Sequence, residues 1–257
     1  MPGPRATADP AGAGPVLARV QPRPLGADRL TPFRENPPKA NPEGLRGRRL
    51  AGLYLVTAPL RPVDRLAAVV AAAIDGGATL VQLREKTTPV EEKLAAARAV
   101  QEICRSHGVP FLVNDDPEFA RRIDADGVHV GREDPSPRVA RALLGPRALV
   151  GTTVYGKPGE EQAAESAGAD YIGVGPFFPS PTKPEEPTLP IHVLDQVVHR
   201  SPLPVFAIGG ITTENAGILS RHRVAGIAVV SAIMDAPDPR KAAADLVLAF
   251  REGSRSP

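Results

Sequence analysis

A (β/α)8 TIM barrel, an α/β fold, is the architecture that this sequence predicts, and three observations support it. From Leu53 onward, short apolar runs alternate with Ala-rich segments of helical periodicity, eight times each. The 257 residues are too few for two ordinary α/β domains but suit one barrel with a tail. The chain has no Trp and few Phe and Tyr, and it is rich in the Ala, Val, Leu and Ile that layered α/β packing favours.

The elements follow in a regular order, and each predicted strand stops at glycine or polar residues. The predicted strands cover residues 53–56, 80–83, 111–113, 127–130, 148–151, 171–174, 205–208 and 227–230. The predicted helices cover residues 63–75, 90–107, 117–123, 136–144, 159–167, 190–199, 213–221 and 238–251. Gly-Ala pairs such as Gly77-Ala78 stand where a helix ends and the chain turns into the next strand. Eight strand–helix units favour closure over an open sheet.

The first 48 residues differ from the rest because they are dense in Pro, Gly, Ala and Arg and show no sustained periodicity. Such a segment cannot bury enough apolar surface to fold, so we predict a disordered tail over 1–48 and a catalytic barrel domain over 49–252. An Arg-bearing leader that is poor in acidic residues is also typical of organelle transit peptides, although the prolines interrupt any amphipathic helix.

Composition also bears on partners and on the cellular compartment. The formal charge is only +2 with no long Lys/Arg run, which argues against a nucleic-acid partner. No apolar stretch approaches the roughly 18 residues of a membrane span. The single cysteine, Cys104, cannot form an internal disulfide and is expected to pack in a helix. We therefore expect a cytoplasmic protein that acts on small molecules; its oligomeric state, including a homo-oligomer, stays open.

The second strand ends in a cluster of polar residues. Period-2 alternation places Gln82, Arg84 and Lys86 on the face opposite Val81 and Leu83. A guanidinium and an ammonium that converge at the end of a strand suit the oxygens of a diphosphate. A charged strand end in solvent is the alternative.

Carboxylates follow the next two strands. Asp115 comes after strand three and Asp134 after strand four, so the pair could share a hard cation such as Mg²⁺. Each could instead cap the helix that begins nearby at a proline. Basic residues at strand two and carboxylates at strands three and four complement each other as a Mg²⁺-diphosphate clamp.

Further anion-binding features follow strands six, seven and eight. The loop from Phe178 to Lys183 offers two hydroxyls and an ammonium in a proline-stiffened segment that is suited to a lid. Gly209 and Gly210 end strand seven, and Val230-Ser231 ends strand eight; here barrels commonly bind a phosphomonoester. Two anion sites that share one mouth imply the joining of two phosphorylated molecules with loss of pyrophosphate.

The ordered motifs of residues 53 to about 251 resemble the thiamine-phosphate synthase family. They are YLVT at 54–57, QLREK at 82–86, ND at 114–115, DGVHVGRED at 126–134, DYIGVGPFF at 170–178, PTK at 181–183, AIGGI at 207–211 and VVSAI at 229–233. The resemblance implies a transferase of thiamine biosynthesis. It would join hydroxymethylpyrimidine diphosphate and thiazole monophosphate into thiamine monophosphate and pyrophosphate, with Mg²⁺ as cofactor, by dissociative substitution.

The resemblance also assigns roles to individual residues. The pyrimidine diphosphate would be held by Gln82, Arg84, Lys86, Asn114 and Lys183, and the metal by Asp115 and Asp134. The thiazole phosphate would contact Ser180, Pro181, Thr182, Gly210, Val230 and Ser231. Thr153 keeps the hydroxyl of a family serine and joins Arg84, Lys86 and Lys183 as a catalytic candidate. Strand parity places His129 inward, where we expect it to line the pyrimidine pocket.

Three departures from the family pattern stand out. Arg132 occupies a position where glutamine is usual, Tyr155 stands where the strand-five motif usually has histidine, and the glycine that usually follows the PTK loop is missing. The histidine is the proton-transfer residue of the related thiazole tautomerases, so its loss weakens that alternative function. A non-catalytic barrel that binds a phosphorylated ligand is the third alternative, and the retained Lys86, Asp115, Asp134 and Lys183 argue against it.

Overall fold

The computed structural model describes residues 1, 3, 50–180 and 185–253. The chain divides into two units, Met1–Asn36 and Pro37–Pro257, and every element described below belongs to the second. The tail predicted over residues 1–48 lies almost wholly outside the described residues, as do the predicted ligands Pro181, Thr182 and Lys183.

Eight parallel strands form a closed barrel in chain order, with β8 paired to β1. The strands are β1 (Gly52–Val56), β2 (Ala78–Leu83), β3 (Phe111–Asn114), β4 (Gly127–Val130), β5 (Leu149–Val154), β6 (Tyr171–Val174), β7 (Val205–Ile208) and β8 (Gly226–Val229). The predicted fold class is thus confirmed. The largest difference in bounds is β5, which continues three residues beyond its predicted end at Gly151, so that Thr153 lies inside a strand. Its continuation pairs with β6, a stabilising contact that local sequence does not show.

Helices alternate with the strands and cover the outside of the barrel. They are α1 (Val63–Asp75), α2 (Val90–Ser106), α3 (Pro117–Arg122), α4 (Pro137–Leu144), α5 (Glu160–Ser166), α6 (His192–Arg200), α7 (Thr213–Ser220), α8 (Ser231–Met234) and α9 (Pro239–Gly253). The strand–helix periodicity did not predict α8, because four residues are too few to show a helical pattern. No helix in the described part of the chain has both the length and the apolarity of a membrane span.

The core has two layers, as the alternation of side chains along each strand requires. Outward-facing residues of the strands pack against the helices, and Cys104 of α2 is fully buried in this layer. Its burial agrees with the expected packing role, and the same burial raises the pKa of the Cys104 thiol.

Phenol and phenyl rings pack together inside the barrel. Tyr54, Tyr171 and Phe206 meet edge to face, with ring centroids 5.5 to 5.9 Å apart. Smaller apolar residues such as Leu80, Leu112 and Leu149 share this interior. The rings close the centre of the barrel, so the space above them is a pocket with a floor rather than a channel.

Candidate functional site

A cavity of about 560 Å³ lies at the end of the barrel where the strands terminate. It contains all the predicted site residues that fall within the described part of the chain. These are Gln82, Arg84, Lys86, Asn114, Asp115, His129, Asp134, Thr153, Ser180, Gly210, Val230 and Ser231. Residues from at least six strand ends therefore meet in one place because barrel closure brings their loops together.

The end of β2 brings cations into the pocket. Arg84 and Lys86 both line the cavity, as period-2 alternation predicted. The backbone N–H of Arg84 donates to Thr57 Oγ1 at 3.0 Å, which ties this segment to the end of β1. Among the described residues the Arg84 side chain has no carboxylate partner, so its guanidinium is available to an anion. Lys86 Nζ lies 2.7 Å from Asp115 Oδ2, so the ammonium stands directly beside a predicted metal ligand.

The two predicted metal ligands approach each other between β3 and β4. The Asp115 and Asp134 side chains lie close enough to shift each other's pKa, and Asp134 Oδ2 accepts from the Gly131 N–H at 2.7 Å. The alternative role as helix caps is wrong for both: the side chains that cap α3 and α4 belong to Asp116 and Ser136. Asp115 instead adopts a left-handed backbone with φ of 66°. Non-glycine residues held in this conformation cluster at functional sites.

The proximity of the carboxylates shifts their pKa values in opposite directions. Burial and contact with Asp115 raise the pKa of Asp134. Burial alone would raise the pKa of Asp115, but hydrogen bonds with Lys86 and Asp134 outweigh it and lower the pKa. Two carboxylates this close repel each other when both are ionised. Such a pair suits a divalent cation, whose charge relieves that repulsion.

The ligand set fits Mg²⁺ better than a metal held by protein alone. Within the described ranges, no three or more His, Cys, Asp or Glu side chains group closely enough to hold a metal ion. Mg²⁺ in phosphate-transferring sites commonly takes only one or two carboxylates from the protein, and its other ligands are substrate phosphates and waters. The Asp115–Asp134 pair matches that donor set.

A continuous hydrogen-bonded chain forms the floor of the pocket. The Gln82 amide donates to the Tyr54 hydroxyl, which lies 2.9 Å from the Tyr171 hydroxyl. Tyr171 is 3.0 Å from His129 Nδ1, and His129 Nε2 is 2.9 Å from Thr153 Oγ1. These hydrogen bonds connect Gln82, His129 and Thr153 through two tyrosines whose role the motifs did not indicate. The inward parity of Tyr54 in β1 and of Tyr171 in β6 is the sequence feature that could have predicted their place in the floor.

This floor is electrically neutral. Burial lowers the pKa of His129 to about 4, which keeps the imidazole uncharged near neutral pH. Burial also raises the pKa of Tyr54 and of Tyr171, so both phenols keep their protons. The floor therefore offers dipoles but no full charge to a bound ring.

The ends of β7 and β8 form the opposite wall, since three strands lie between β3 and β7 in either direction around the closed barrel. Gly209 and Gly210 have φ of 95° and 59°, and a Cβ on Gly210 would overlap the backbone of the loop after β6. Both positions therefore need glycine. Val230 and Ser231 complete this wall at the start of α8. Because Gly209 and Gly210 carry no side chain, a phosphate could approach the backbone N–H groups of this wall closely.

Two of the departures from the family pattern contact each other. The Arg132 guanidinium lies over the Tyr155 ring, with its central carbon 3.8 Å from the ring centroid, and both residues line the pocket. The sequence presented them as separate exceptions 23 residues apart. In the structure they form one cation–π pair between β4 and β5.

Known proteins with similar sequences indicate the same family as the motifs of this site. The family model for thiamine monophosphate synthase matches residues 53–233. The thiamine-phosphate synthase of Thiobacillus denitrificans is 45% identical over 195 residues, which are 76% of this chain and 92% of that protein. The one from Geobacillus thermodenitrificans is 45% identical over 190 residues, 71% of this chain and 84% of that protein.

A solved structure extends the likeness to the fold. Thiamine phosphate pyrophosphorylase from Pyrococcus furiosus superposes with a TM-score of 0.70 at 35% identity, covering 80% of this chain and 97% of that one. The resemblance seen in the motifs is therefore confirmed over most of the barrel. By sequence, by fold and by the residues gathered at its mouth, the chain belongs to the thiamine monophosphate synthase family of transferases.

Proposed function

We propose that this chain joins hydroxymethylpyrimidine diphosphate to thiazole monophosphate, giving thiamine monophosphate and pyrophosphate, with Mg²⁺ as cofactor. The observation that carries the proposal is that one pocket has two opposite walls, each with groups suited to an anion. One wall has Arg84, Lys86 and the Asp115–Asp134 pair, and the opposite wall has the glycine backbone at the end of β7. Family membership supports the same reaction.

The first wall takes the diphosphate. Arg84 offers planar donors to non-bridging oxygens, and Lys86 contributes a mobile charge beside Asp115. Asp115 and Asp134, with Asn114 adjacent, would hold Mg²⁺, which supplies charge neutralisation to the departing pyrophosphate when bound. Lys183, whose place lies outside the described residues, is assigned here by its motif alone. These cations stabilise the leaving group, the electrostatic contribution that commonly dominates such catalysis.

The neutral floor takes the pyrimidine. Gln82, His129 and Thr153 present polar atoms to the ring from one side of the pocket. In a dissociative reaction the exocyclic methylene becomes cationic as pyrophosphate leaves. A floor without positive charge does not oppose that cation, and a neutral His129 is essential to this condition. The pyrimidine amino group then stabilises the cation by electron release.

The second wall takes the thiazole phosphate. Gly210, Val230, Ser231 and Ser180 line it, so the phosphate is held across the pocket from the diphosphate. This separation leaves the two rings facing each other above the floor. The thiazole nitrogen can then capture the methylene carbon without a general base, because that nitrogen carries no proton to remove. The protein's contribution is positioning and charge stabilisation.

The test is formation of thiamine monophosphate by the purified protein with both substrates and Mg²⁺, with and without EDTA. We expect Asp115→Asn to lower kcat by about 100-fold or more, the loss typical of removing one electrostatic stabiliser. Asp64→Asn is the control, because Asp64 is an exposed acid in α1 outside the pocket. A folded wild-type protein that forms no product would contradict the proposal and favour the tautomerase or ligand-binding alternatives.

A further inference from the structure

Arg132 lies at the mouth of the pocket in a position set by an aromatic ring. It belongs to the loop between β4 and α4, two residues before Asp134, and Tyr155 directly follows β5. The guanidinium carbon is 3.8 Å from the Tyr155 ring centroid. A guanidinium stacked on a ring keeps its N–H donors directed outward along its edge, where they remain able to bind an anion.

The charge of Arg132 is not neutralised by any carboxylate in the described part of the chain. Other partly buried arginines outside the pocket have carboxylate partners, as Arg61, Arg141 and Arg200 do. Within the described ranges, Arg132 has no carboxylate at ion-pair distance, although Glu133 is its neighbour in sequence. A full positive charge therefore faces the cavity without a counter-ion from the described part of the chain.

The order of charges around the mouth indicates which anion Arg132 would bind. Arg84 and Lys86 stand at β2, Asp115 and Asp134 follow β3 and β4, and Arg132 closes the series between β4 and β5. An anion held against the carboxylate pair through Mg²⁺ thus has cations on both sides. The phosphate wall at β7 and β8 lies across the barrel from this series.

We propose that Arg132, held by stacking on Tyr155, is an additional diphosphate-binding residue that faces Arg84 and Lys86 across the carboxylate pair. The inference rests on the proposed function and adds a residue to its diphosphate site. The proposal also explains two departures from the family pattern together, because the ring of Tyr155 positions the guanidinium of Arg132. The same contact would retain the pyrophosphate product.

The experiment measures binding of inorganic pyrophosphate with Mg²⁺ to the full chain by calorimetry. We expect Arg132→Gln to raise Kd about tenfold, the effect of losing one charge-assisted contact. Arg138→Gln is the matched control, because Arg138 carries the same charge nearby on α4 but bonds to the Ser166 carbonyl outside the pocket. The control should bind as the wild type does.

The role of the ring is tested in the same assay. Tyr155→Leu should weaken binding a few-fold and Tyr155→Phe, which keeps the ring, should restore most of it. When Arg132→Gln is added to Tyr155→Leu, it should raise Kd less than it does in the wild type, because a guanidinium without its ring is already displaced. In turnover assays, Arg132→Gln should raise KM for the pyrimidine diphosphate and leave KM for the thiazole phosphate unchanged.

Equal pyrophosphate affinity in wild type and Arg132→Gln would overturn the proposal, and so would an equal loss in Arg138→Gln. The binding comparison does not require turnover. A wild type that binds pyrophosphate through Arg132 but forms no thiamine monophosphate would therefore contradict the proposed function while supporting this inference.

Discussion

Glu85, which lies between Arg84 and Lys86 just after β2, provides the sharpest stability prediction. Glu85 has the opposite parity to Arg84 and Lys86, and its side chain is fully buried away from the pocket. Arg61 binds it through two hydrogen bonds of 3.2 and 3.1 Å, and the Thr88 hydroxyl also donates to it. A buried charge of this kind is tolerated only because its partners are in place.

Removing Arg61 should therefore cost more than an ordinary surface ion pair. Losing one partner of a fully buried pair costs about 3 to 5 kcal/mol. The Arg61 side chain is 33% exposed, so water can solvate part of the orphaned carboxylate, and we expect Arg61→Met to lower the free energy of unfolding by about 2 to 3 kcal/mol. For a domain of this size that is a fall in Tm of about 5 to 10 °C.

Urea unfolding followed by circular dichroism is the assay, with Arg121→Met as the control. Arg121 and Glu118 form a 3.0 Å pair, but both side chains are at least 60% exposed, so the control should change stability by less than about 0.5 kcal/mol. Adding Glu85→Gln to Arg61→Met should recover part of the loss, because the orphaned charge is then gone. An Arg61→Met protein as stable as its Arg121→Met control would refute the reasoning.

Three further predictions concern the floor and the core. Burial holds the His129 pKa at about 4, below its unfolded value, so the free energy of unfolding should fall by on the order of 2 kcal/mol as pH drops from about 6.5 towards 4. His129→Gln should lose less stability over that range when both proteins are unfolded in urea. Equal losses of stability in the two proteins would contradict this. Buried Cys104 should react with a thiol reagent only at the rate of unfolding, and fast labelling of native protein would be inconsistent with its packing. Gly151→Ala should destabilise the barrel by about 1 to 3 kcal/mol because its Cβ would overlap the Tyr171 ring. Gly173→Ala should keep its urea midpoint, because its Cβ would make only ordinary van der Waals contacts, with His129 at 3.5 Å and Ile208 at 3.7 Å; equal midpoints for the two variants would count against the packing argument.

Much of this architecture was predictable from local sequence. Strand and helix periods are properties of neighbouring residues, and the predicted bounds of β4, β6 and β7 agree with the structure to the residue. The polar clusters that follow β2, β3 and β4 could also be placed, because the carboxyl ends of parallel strands must meet once a barrel closes. The alternation that sends Arg84 and Lys86 inward is likewise a short-range property.

The tertiary structure decided which side chains contact each other. Tyr54 and Tyr171 share a hydrogen bond although 117 residues separate them, and Arg132 stacks on Tyr155 across two strands. It also showed that Asp116 rather than Asp115 caps α3. Such contacts depend on strand register and barrel closure. Both result from many weak interactions along the whole chain, so no local sequence pattern predicts these contacts. The sequence by itself determined the fold and the chemical types of the residues at its mouth; only closure of the barrel determined the neutral floor, the adjacent carboxylates and the stacked arginine.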